Sequence, residues 1–190
     1  MIDHFGILAP FYDHLIPFKP EKLVALANLP VPGLLLDIGG GTGRVSRHLV
    51  GLASGVVVAD LSLRMLRQAV AKDGLLPVRA PAEALPFASQ TFERVIMVDA
   101  LHHVISHAKT ACELWRVLKP GGRIVIEEPD IRSLAVIFVA VAEKMALMRS
   151  HFLTPARIKA LFTFPGARIY VTKVGYNALI VIEKENSLPD

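Results

Sequence analysis

The chain has 190 residues, of which 53% are hydrophobic, and its 21 basic and 17 acidic side chains give a net charge of +4. This length suits one domain with a substantial core, and no apolar run reaches the roughly 20 residues that a membrane-spanning helix needs. The single cysteine, Cys112, excludes an internal disulfide and a cysteine-based metal site, and the scattered basic residues do not favour a nucleic-acid partner.

Strand and helix patterns alternate over the first two thirds of the chain. After an N-terminal helical segment at 1–32, the hydrophobic periodicity predicts strand 34–38, helix 44–51, strand 56–60, helix 62–72, strand 76–80, strand 94–98, helix 108–118 and strand 123–128. This α/β alternation predicts a mainly parallel sheet that helices cover on both faces.

The pattern changes after residue 130. A long apolar helix is predicted over 133–152 and a second helix over 154–163. Two strands at 167–173 and 176–184, joined by a tight turn, predict a C-terminal hairpin that adds an antiparallel strand at the edge of the sheet.

The glycine-rich segment after the first predicted strand is the most informative part of the chain. Gly39-Gly40-Gly41-Thr42-Gly43 ends an apolar strand and opens a helical pattern. Glycines let a backbone turn tightly and lie directly against a ligand, and N–H groups at the start of a helix face such a ligand. We therefore predict that a nucleotide-like or carboxylate-bearing small molecule binds at residues 37–43.

Three kinds of ligand compete for this loop. A phosphate-binding P-loop requires Lys-Ser/Thr after its last glycine, whereas Gly43 is followed by Arg44-Val45. The third glycine of a dinucleotide fingerprint would also fall on Arg44, which disfavours NAD and FAD. S-adenosylmethionine has no phosphate; it needs backbone N–H groups for its carboxylate, an acid for its ammonium and a second acid for its ribose hydroxyls.

Asp37 and Asp60 suit those two acidic positions. Each lies at the end of a predicted strand, and the carboxyl edge of a parallel sheet is where such folds bind ligands. A carboxylate accepts two hydrogen bonds from vicinal hydroxyls. The alternative for Asp60 is that it only caps the following helix.

Five segments in chain order resemble motifs of class I S-adenosylmethionine-dependent methyltransferases. They are the glycine loop with Asp37, the acidic segment 60–66, the segment 80–87, the fourth strand with its following turn at 92–104, and the turn at 114–122. The N-terminal Phe5–Asp13 is similar to the opening Phe-x-x-Ile-Ala-Pro-x-Tyr-Asp of the ubiquinone/menaquinone-biosynthesis C-methyltransferases.

The resemblance implies a Rossmann-like three-layer α-β-α sandwich of about seven strands. It implies a single domain over 1–190, with a cofactor-binding core at 33–130, substrate-covering helices at 131–165 and the hairpin at 166–185. It also implies S-adenosylmethionine as the cofactor, with S-adenosylhomocysteine as the product, held by Asp37, Gly39, Gly40, Gly41, Asp60, Leu61, Met65, Pro81, Ala82, Glu83 and Val98.

Pro81 departs from the family pattern. The adenine-contacting segment usually carries Asp there, which would accept a hydrogen bond from the adenine amine. With Pro81, a backbone carbonyl or a water must take that place, or the cofactor affinity is lower. The neighbouring Ala82 still offers its backbone N–H to the ring.

Methyl transfer from a sulfonium is an in-line displacement, so the protein mainly aligns donor and acceptor in a dry site. A base is needed only where the acceptor must lose a proton. The candidates are Asp99, His103 and Tyr12, and further His102 and His14. Their alternatives are a turn-capping aspartate, structural histidines and a packed aromatic ring. No histidine spacing indicates a metal site.

The apolar stretch 133–152 lies where the family places substrate-covering elements. It favours a small lipophilic acceptor such as a quinol, a phenol or a lipid, and a peripheral contact with a membrane. Core packing or a homodimer explains the same residues equally well. Because no basic segment precedes an apolar one at the N-terminus, we expect no secretory signal and a cytoplasmic protein.

Two other functions are compared with a methyltransferase. A non-catalytic protein that binds S-adenosylmethionine or S-adenosylhomocysteine, or a scaffold of the same fold, would accommodate the missing acid at Pro81. A short dehydrogenase would need a Tyr-x-x-x-Lys pair, but Val174 and Ile16 stand at that offset from Tyr170 and Tyr12.

Overall fold

A computed structural model describes residues 18, 20–134, 136–138, 141 and 150–186. Their seven strands form one sheet in the order β3-β2-β1-β4-β5-β7-β6. The strands are β1 Leu34–Ile38, β2 Gly55–Asp60, β3 Leu75–Arg79, β4 Phe92–Val98, β5 Leu118–Pro129, β6 Ala167–Val174 and β7 Asn177–Lys184. Strands β1 to β5 pair in parallel, and β7 pairs antiparallel with both β5 and β6. The α/β fold class is thereby confirmed.

Helices cover both faces of this sheet. Alternate residues of the central strands point to opposite sides: Leu35 joins one apolar cluster and Leu36 the other. The first cluster packs against α1 (Glu21–Leu26), a 3-10 helix at Ser46–Leu49 and α2 (Leu63–Val70). The second packs against α3 (His107–Val117) and α4 (Pro155–Ala160), which completes a three-layer sandwich.

The segment after the glycine loop differs from its prediction. A helix was expected over 44–51, but only the 3-10 helix at Ser46–Leu49 forms. The side chain of Ser46 donates to Asp37, and Arg44 reaches Asp99. These contacts accompany a 3-10 helix, which is wound more tightly than the predicted α-helix. Gly51, at φ +84°, lies outside the helical region and follows its end.

The apolar stretch after β5 is helical at Leu134, Val136–Phe138 and Val141. It does not continue to Phe152 as predicted, because residues 150–153 are not helical. There the His151 N–H donates to the His102 carbonyl at 2.7 Å. Among the described residues, none of the helices has both the length and the apolar character to cross a membrane.

The C-terminal hairpin forms as predicted, and its second strand lies inside the sheet. β7 sits between β5 and the edge strand β6, and Ala178–Ile182 are buried. The short turn contains Gly175 at φ +59°, a conformation that glycine adopts without strain.

Candidate functional site

Acidic side chains gather at the carboxyl edge of the parallel strands. Asp37 lies near the end of β1, Asp60 ends β2, Asp99 follows β4 and Glu128 lies near the end of β5. Because these strands run in parallel, their ends meet along one rim of the sheet. The structure therefore brings the sequence-predicted acids together and adds Glu128.

The glycine loop follows β1 at this rim and requires glycine at specific positions. Gly39, Gly41 and Gly43 have φ values of +69°, +55° and +74°, which favour glycine. A Cβ atom on Gly39 would lie 2.5 Å from the Ala100 Cβ, and one on Gly40 would lie 2.6 Å from the Asp37 Oδ2. The loop is thus packed closely against the turn after β4 and against the Asp37 carboxyl.

Asp60 connects this loop to the following helix. Its Oδ2 accepts a hydrogen bond from the Gly41 N–H at 2.9 Å, and its Oδ1 accepts one from the Ser62 N–H at 2.7 Å. Ser62 in turn caps α2 by accepting from the Met65 N–H. Each carboxylate oxygen can accept more than one hydrogen bond, so these two backbone contacts do not exclude a ribose hydroxyl as a further donor.

Asp37 lies beneath the loop. Its side chain is almost fully buried, and its Oδ2 accepts a hydrogen bond from the Ser46 hydroxyl at 2.6 Å. Burial raises the pKa of this carboxyl to about 7, although the Ser46 hydrogen bond acts in the opposite direction. Asp37 therefore supports the loop from below, and its predicted contact with the cofactor ammonium stays a prediction.

Asp99 occupies the turn directly after β4. Its φ is +53°, an uncommon value for a residue with a side chain, and its side chain is about one third exposed. The Arg44 guanidinium lies 3.5 Å from its Oδ2. Burial, followed by repulsion from Glu128 and Glu127, raises the pKa of Asp99 to about 6. This carboxyl is thus mainly ionised at neutral pH and close to the range where a proton acceptor works.

Glu128 holds the same turn from the β5 side, and the sequence analysis missed it. Its Oε1 accepts from the N–H groups of Ala100 at 2.8 Å and Leu101 at 2.6 Å. Its Oε2 lies 2.6 Å from the His102 Nδ1. The position of two glutamates at the end of a predicted parallel strand could have identified it.

The two neighbouring histidines differ in their surroundings. His102 is buried, pairs with Glu128 and stacks on the Phe152 ring at 4.3 Å between centroids. This is the structural alternative considered for it. His103 is half-buried, with the Ser150 Oγ at 3.4 Å from its Nδ1. The other candidate bases, Tyr12 and His14, lie outside the described residues.

The predicted adenine-contacting segment is tied to α3 by side chains. The Glu83 Oε1 accepts from the N–H groups of Ile105 and Ser106 at 2.7 and 3.1 Å. The Glu113 Oε2 accepts from the Leu85 N–H at 2.7 Å. Arg116 donates to the carbonyls of Leu85 and Phe87. These contacts fix the path of residues 83–87 beside the rim.

The remaining predicted cofactor residues differ in exposure. Pro81 and Leu61 are exposed, and Ala82 is half-buried. Met65 is buried, and its Cε would lie 3.0 Å from a Cβ added to Gly41. Val98 is also buried, at the end of β4. Within the described residues, no group of three or more potential ligands could hold a metal ion.

Comparison with known proteins decides the family. Residues 36–126 match the family described as a methyltransferase domain. The chain is 38% identical over 147 residues to the ubiquinone/menaquinone biosynthesis C-methyltransferase UbiE of Klebsiella pneumoniae. It is 32% identical over 142 residues to the demethylmenaquinone methyltransferase of Mycolicibacterium vanbaalenii. Residues 36–126 therefore belong to the methyltransferase-domain family, and these relatives support a class I S-adenosylmethionine-dependent methyltransferase.

This class I methyltransferase shares its fold with solved relatives. It superposes with a TM-score of 0.82 on a chain of the complex between the Haloferax volcanii Trm112 methyltransferase activator and a methyltransferase. That match covers 98% of this chain and 100% of the other at 18% identity, so it shows the fold alone. The family resemblance, the Rossmann-like fold and S-adenosylmethionine as the cofactor are confirmed.

The methyltransferase matches only part of its curated relatives. The alignments cover 67% and 73% of this chain but 59% and 58% of the Klebsiella and Mycolicibacterium proteins. The chain thus spans less than two thirds of the length of these relatives. The activity, substrate and partners of these relatives therefore apply to this chain only as proposals.

Proposed function

We propose that this class I methyltransferase transfers a methyl group from S-adenosylmethionine to a small lipophilic acceptor. The observation that carries the proposal is the Asp60–Gly41 hydrogen bond, which holds the glycine loop at the rim where Asp37 and Asp99 also lie. The names of the relatives support a ring carbon of a reduced quinone as the acceptor.

The acidic side chains at the rim suit the cationic amino group and the ribose hydroxyls of the cofactor. In the proposed arrangement, the backbone of Gly39–Gly41 receives the amino-acid end, Asp60 accepts from the ribose hydroxyls, and Pro81–Glu83 lie beside the adenine. Gly39 and Gly40 support this arrangement, because a loop without Cβ atoms lets a ligand approach its backbone. When bound, the cofactor supplies an electrophilic methyl group on a sulfonium.

Methylation of a ring carbon also requires that this carbon lose a proton. A new carbon–carbon bond forms as the methyl–sulfur bond breaks, and the ring carbon then loses its proton to a base. Asp99 is the proposed base, because it lies at the rim, is partly exposed and has its pKa raised to about 6. Arg44 keeps its carboxylate oriented, while His103 and Tyr12 are the other candidates. The segment 131–165 is the proposed cover over the acceptor.

Calorimetry with S-adenosylhomocysteine tests the cofactor part of this proposal. We expect S-adenosylhomocysteine to bind. If no heat of binding is detected at about 1 mM ligand, the cofactor part of the proposal is rejected. Turnover of labelled S-adenosylmethionine with demethylated naphthoquinols, simple phenols and lipid amines then tests the acceptor. Methylation of the quinols on carbon supports the proposal, whereas methylation of only amines or phenol oxygens contradicts it.

The second candidate is a protein of the same fold that binds the cofactor without catalysis. Pro81 favours it, because this residue cannot accept a hydrogen bond from the adenine through its side chain. The two candidates separate in the same experiments: cofactor binding without turnover on any acceptor supports the non-catalytic protein. Replacing Pro81 with Asp should then raise the cofactor affinity.

A further inference from the structure

The helical segment after β5 buries Val136 but exposes four other apolar side chains. Leu134, Ile137, Phe138 and Val141 are 74%, 41%, 75% and 56% exposed. They stand at positions i, i+3, i+4 and i+7, which places them on one side of a helix. A surface helix normally turns such a set toward the core. We call these four residues the apolar stripe.

Cationic and aromatic side chains lie beside the start of this helix. Arg132 and Lys173 both approach the buried Asp130 carboxylate, at 2.7 and 3.5 Å, and remain more than half exposed. The Asp130 N–H donates to the Tyr176 carbonyl, which places the β6–β7 turn next to them. Tyr176 itself is 59% exposed. Arg132 and Lys173 thus supply two partly exposed cations here, one more than the Asp130 carboxylate neutralises.

We propose that the apolar stripe, with Arg132, Lys173 and Tyr176 beside it, docks on the surface of an anionic lipid bilayer. An apolar helix face beside basic and aromatic side chains is the composition of helices that lie in a membrane interface. Lys and Arg contact lipid headgroups while their stems stay apolar.

The apolar stripe follows the edge of the sheet at which the acceptor is proposed to react. The helix follows Asp130 directly, and Asp130 follows the carboxyl end of β5, at the rim that carries Asp37, Asp60 and Asp99. A bilayer held there would present a lipophilic acceptor to the same side of the sheet. This last step rests on the proposed function, whereas the docking itself depends only on the surface.

Vesicle sedimentation of the full chain tests the docking without cofactor or acceptor. We expect binding to vesicles with about 30% phosphatidylglycerol, and weaker binding when about 0.5 M salt is present. The double variant Leu134→Ser with Phe138→Ser should bind at least about tenfold more weakly. The matched control is Val70→Ser with Leu76→Ser, which removes exposed apolar side chains near the β3 edge and should bind as the parent does.

The outcomes distinguish docking on a bilayer from dimer formation through the apolar stripe. Equal vesicle binding by the parent and the stripe variant overturns the proposal, and so does a parent that fails to bind. A concentration-dependent dimer that only the stripe variant loses also overturns it and assigns the stripe to a second copy of the chain. Circular dichroism of each variant shows that it has folded, and because neither measurement uses the cofactor, a failure of the proposed function does not disturb the result.

Discussion

The Asp60 carboxylate and the Gly41 N–H are joined by a hydrogen bond of 2.9 Å across 19 positions of the chain. The other carboxylate oxygen accepts from Ser62 at the start of α2. One side chain therefore fixes the glycine loop relative to the next helix. Asp60 thereby supports the start of α2, and its role as a ribose ligand stays a prediction.

Replacing Asp60 with Ala should weaken S-adenosylhomocysteine binding. The variant loses the acceptor for the Gly41 N–H, and we expect a loss of about 1–3 kcal/mol in binding free energy by calorimetry. Asp73→Ala, at an exposed position beyond α2, is the matched control and should bind as the parent does. An unchanged affinity in Asp60→Ala would refute the proposed role of this carboxylate.

Gly40→Ala should disrupt the loop by collision rather than by backbone strain. The added Cβ would lie 2.6 Å from the Asp37 Oδ2 and 2.8 Å from the Val58 Cγ1. We expect a loss of about 1–3 kcal/mol in the free energy of unfolding, measured by urea denaturation, together with weaker cofactor binding. Gly175→Ala serves as the comparison.

Gly175 has open space around it but a positive φ. Its alanine variant should lose about 1 kcal/mol of stability, from backbone strain alone, and keep the parent's cofactor affinity. If Gly40→Ala also keeps that affinity, the close approach of loop and carboxyl has no part in cofactor binding.

The buried Asp37 carboxyl should make stability depend on pH. Its pKa is about 7 in the folded chain, raised from 3.8 mainly by burial. Between these two values the folded state holds a proton that the unfolded state has lost, so this group's contribution to stability decreases as the pH rises from about 4 to 7. Above that range its contribution is constant.

The Asp37→Asn variant isolates this effect, because Asn carries no titrating proton. We expect the stability of the variant relative to the parent to increase between about pH 4 and 7, in denaturation experiments at several pH values. Asp73→Asn should follow the parent throughout. A constant difference between Asp37→Asn and the parent would mean that the buried carboxyl does not titrate in this range.

Glu128→Gln should act on Asp99 through the turn that lies between them. The variant weakens the acceptor for the Ala100 and Leu101 N–H groups and for His102. Loss of a buried charged acceptor costs about 1–3 kcal/mol in unfolding free energy. If Asp99 is the base, kcat should also fall, with little change in the KM for S-adenosylmethionine.

Glu127→Gln is the neighbouring control. Glu127 accepts a hydrogen bond from the Asn177 side chain, and Gln can accept the same bond. This variant should keep near-parental stability. A Glu128→Gln enzyme with an unshifted acid limb in its kcat–pH profile would contradict the link to Asp99, because the Glu128 charge contributes to the raised pKa of that residue.

The parallel core could be predicted because the apolar runs of its strands agree with the alternation of strands and helices along the chain. β1 was predicted to the residue, and the helix predicted over 62–72 contains α2. Buried parallel strands are continuous apolar runs, and their carboxyl ends define a rim, so Asp37, Asp60 and Asp99 could be assigned to one place.

The rest depended on contacts that periodicity does not encode. In the segment after the glycine loop, which forms a 3-10 helix, Ser46 donates to the buried Asp37 and Arg44 pairs with Asp99 beyond β4. Glu128 acts on a turn 27 and 28 positions away, and no local pattern indicates that partner. The burial that raises the pKa of Asp37 likewise arises only when the strands assemble.

The placement of β7 has a consequence for synthesis of the chain. During translation β5 leaves the ribosome well before residues 177–184, yet β7 is its neighbour on the side away from β4. Until that strand arrives, β5 presents an open row of N–H and C=O groups, the kind of edge on which nascent chains associate. Slow elongation through residues 130–176 should therefore favour aggregation, and a chaperone that shields the β5 edge in this interval should raise the yield of folded protein.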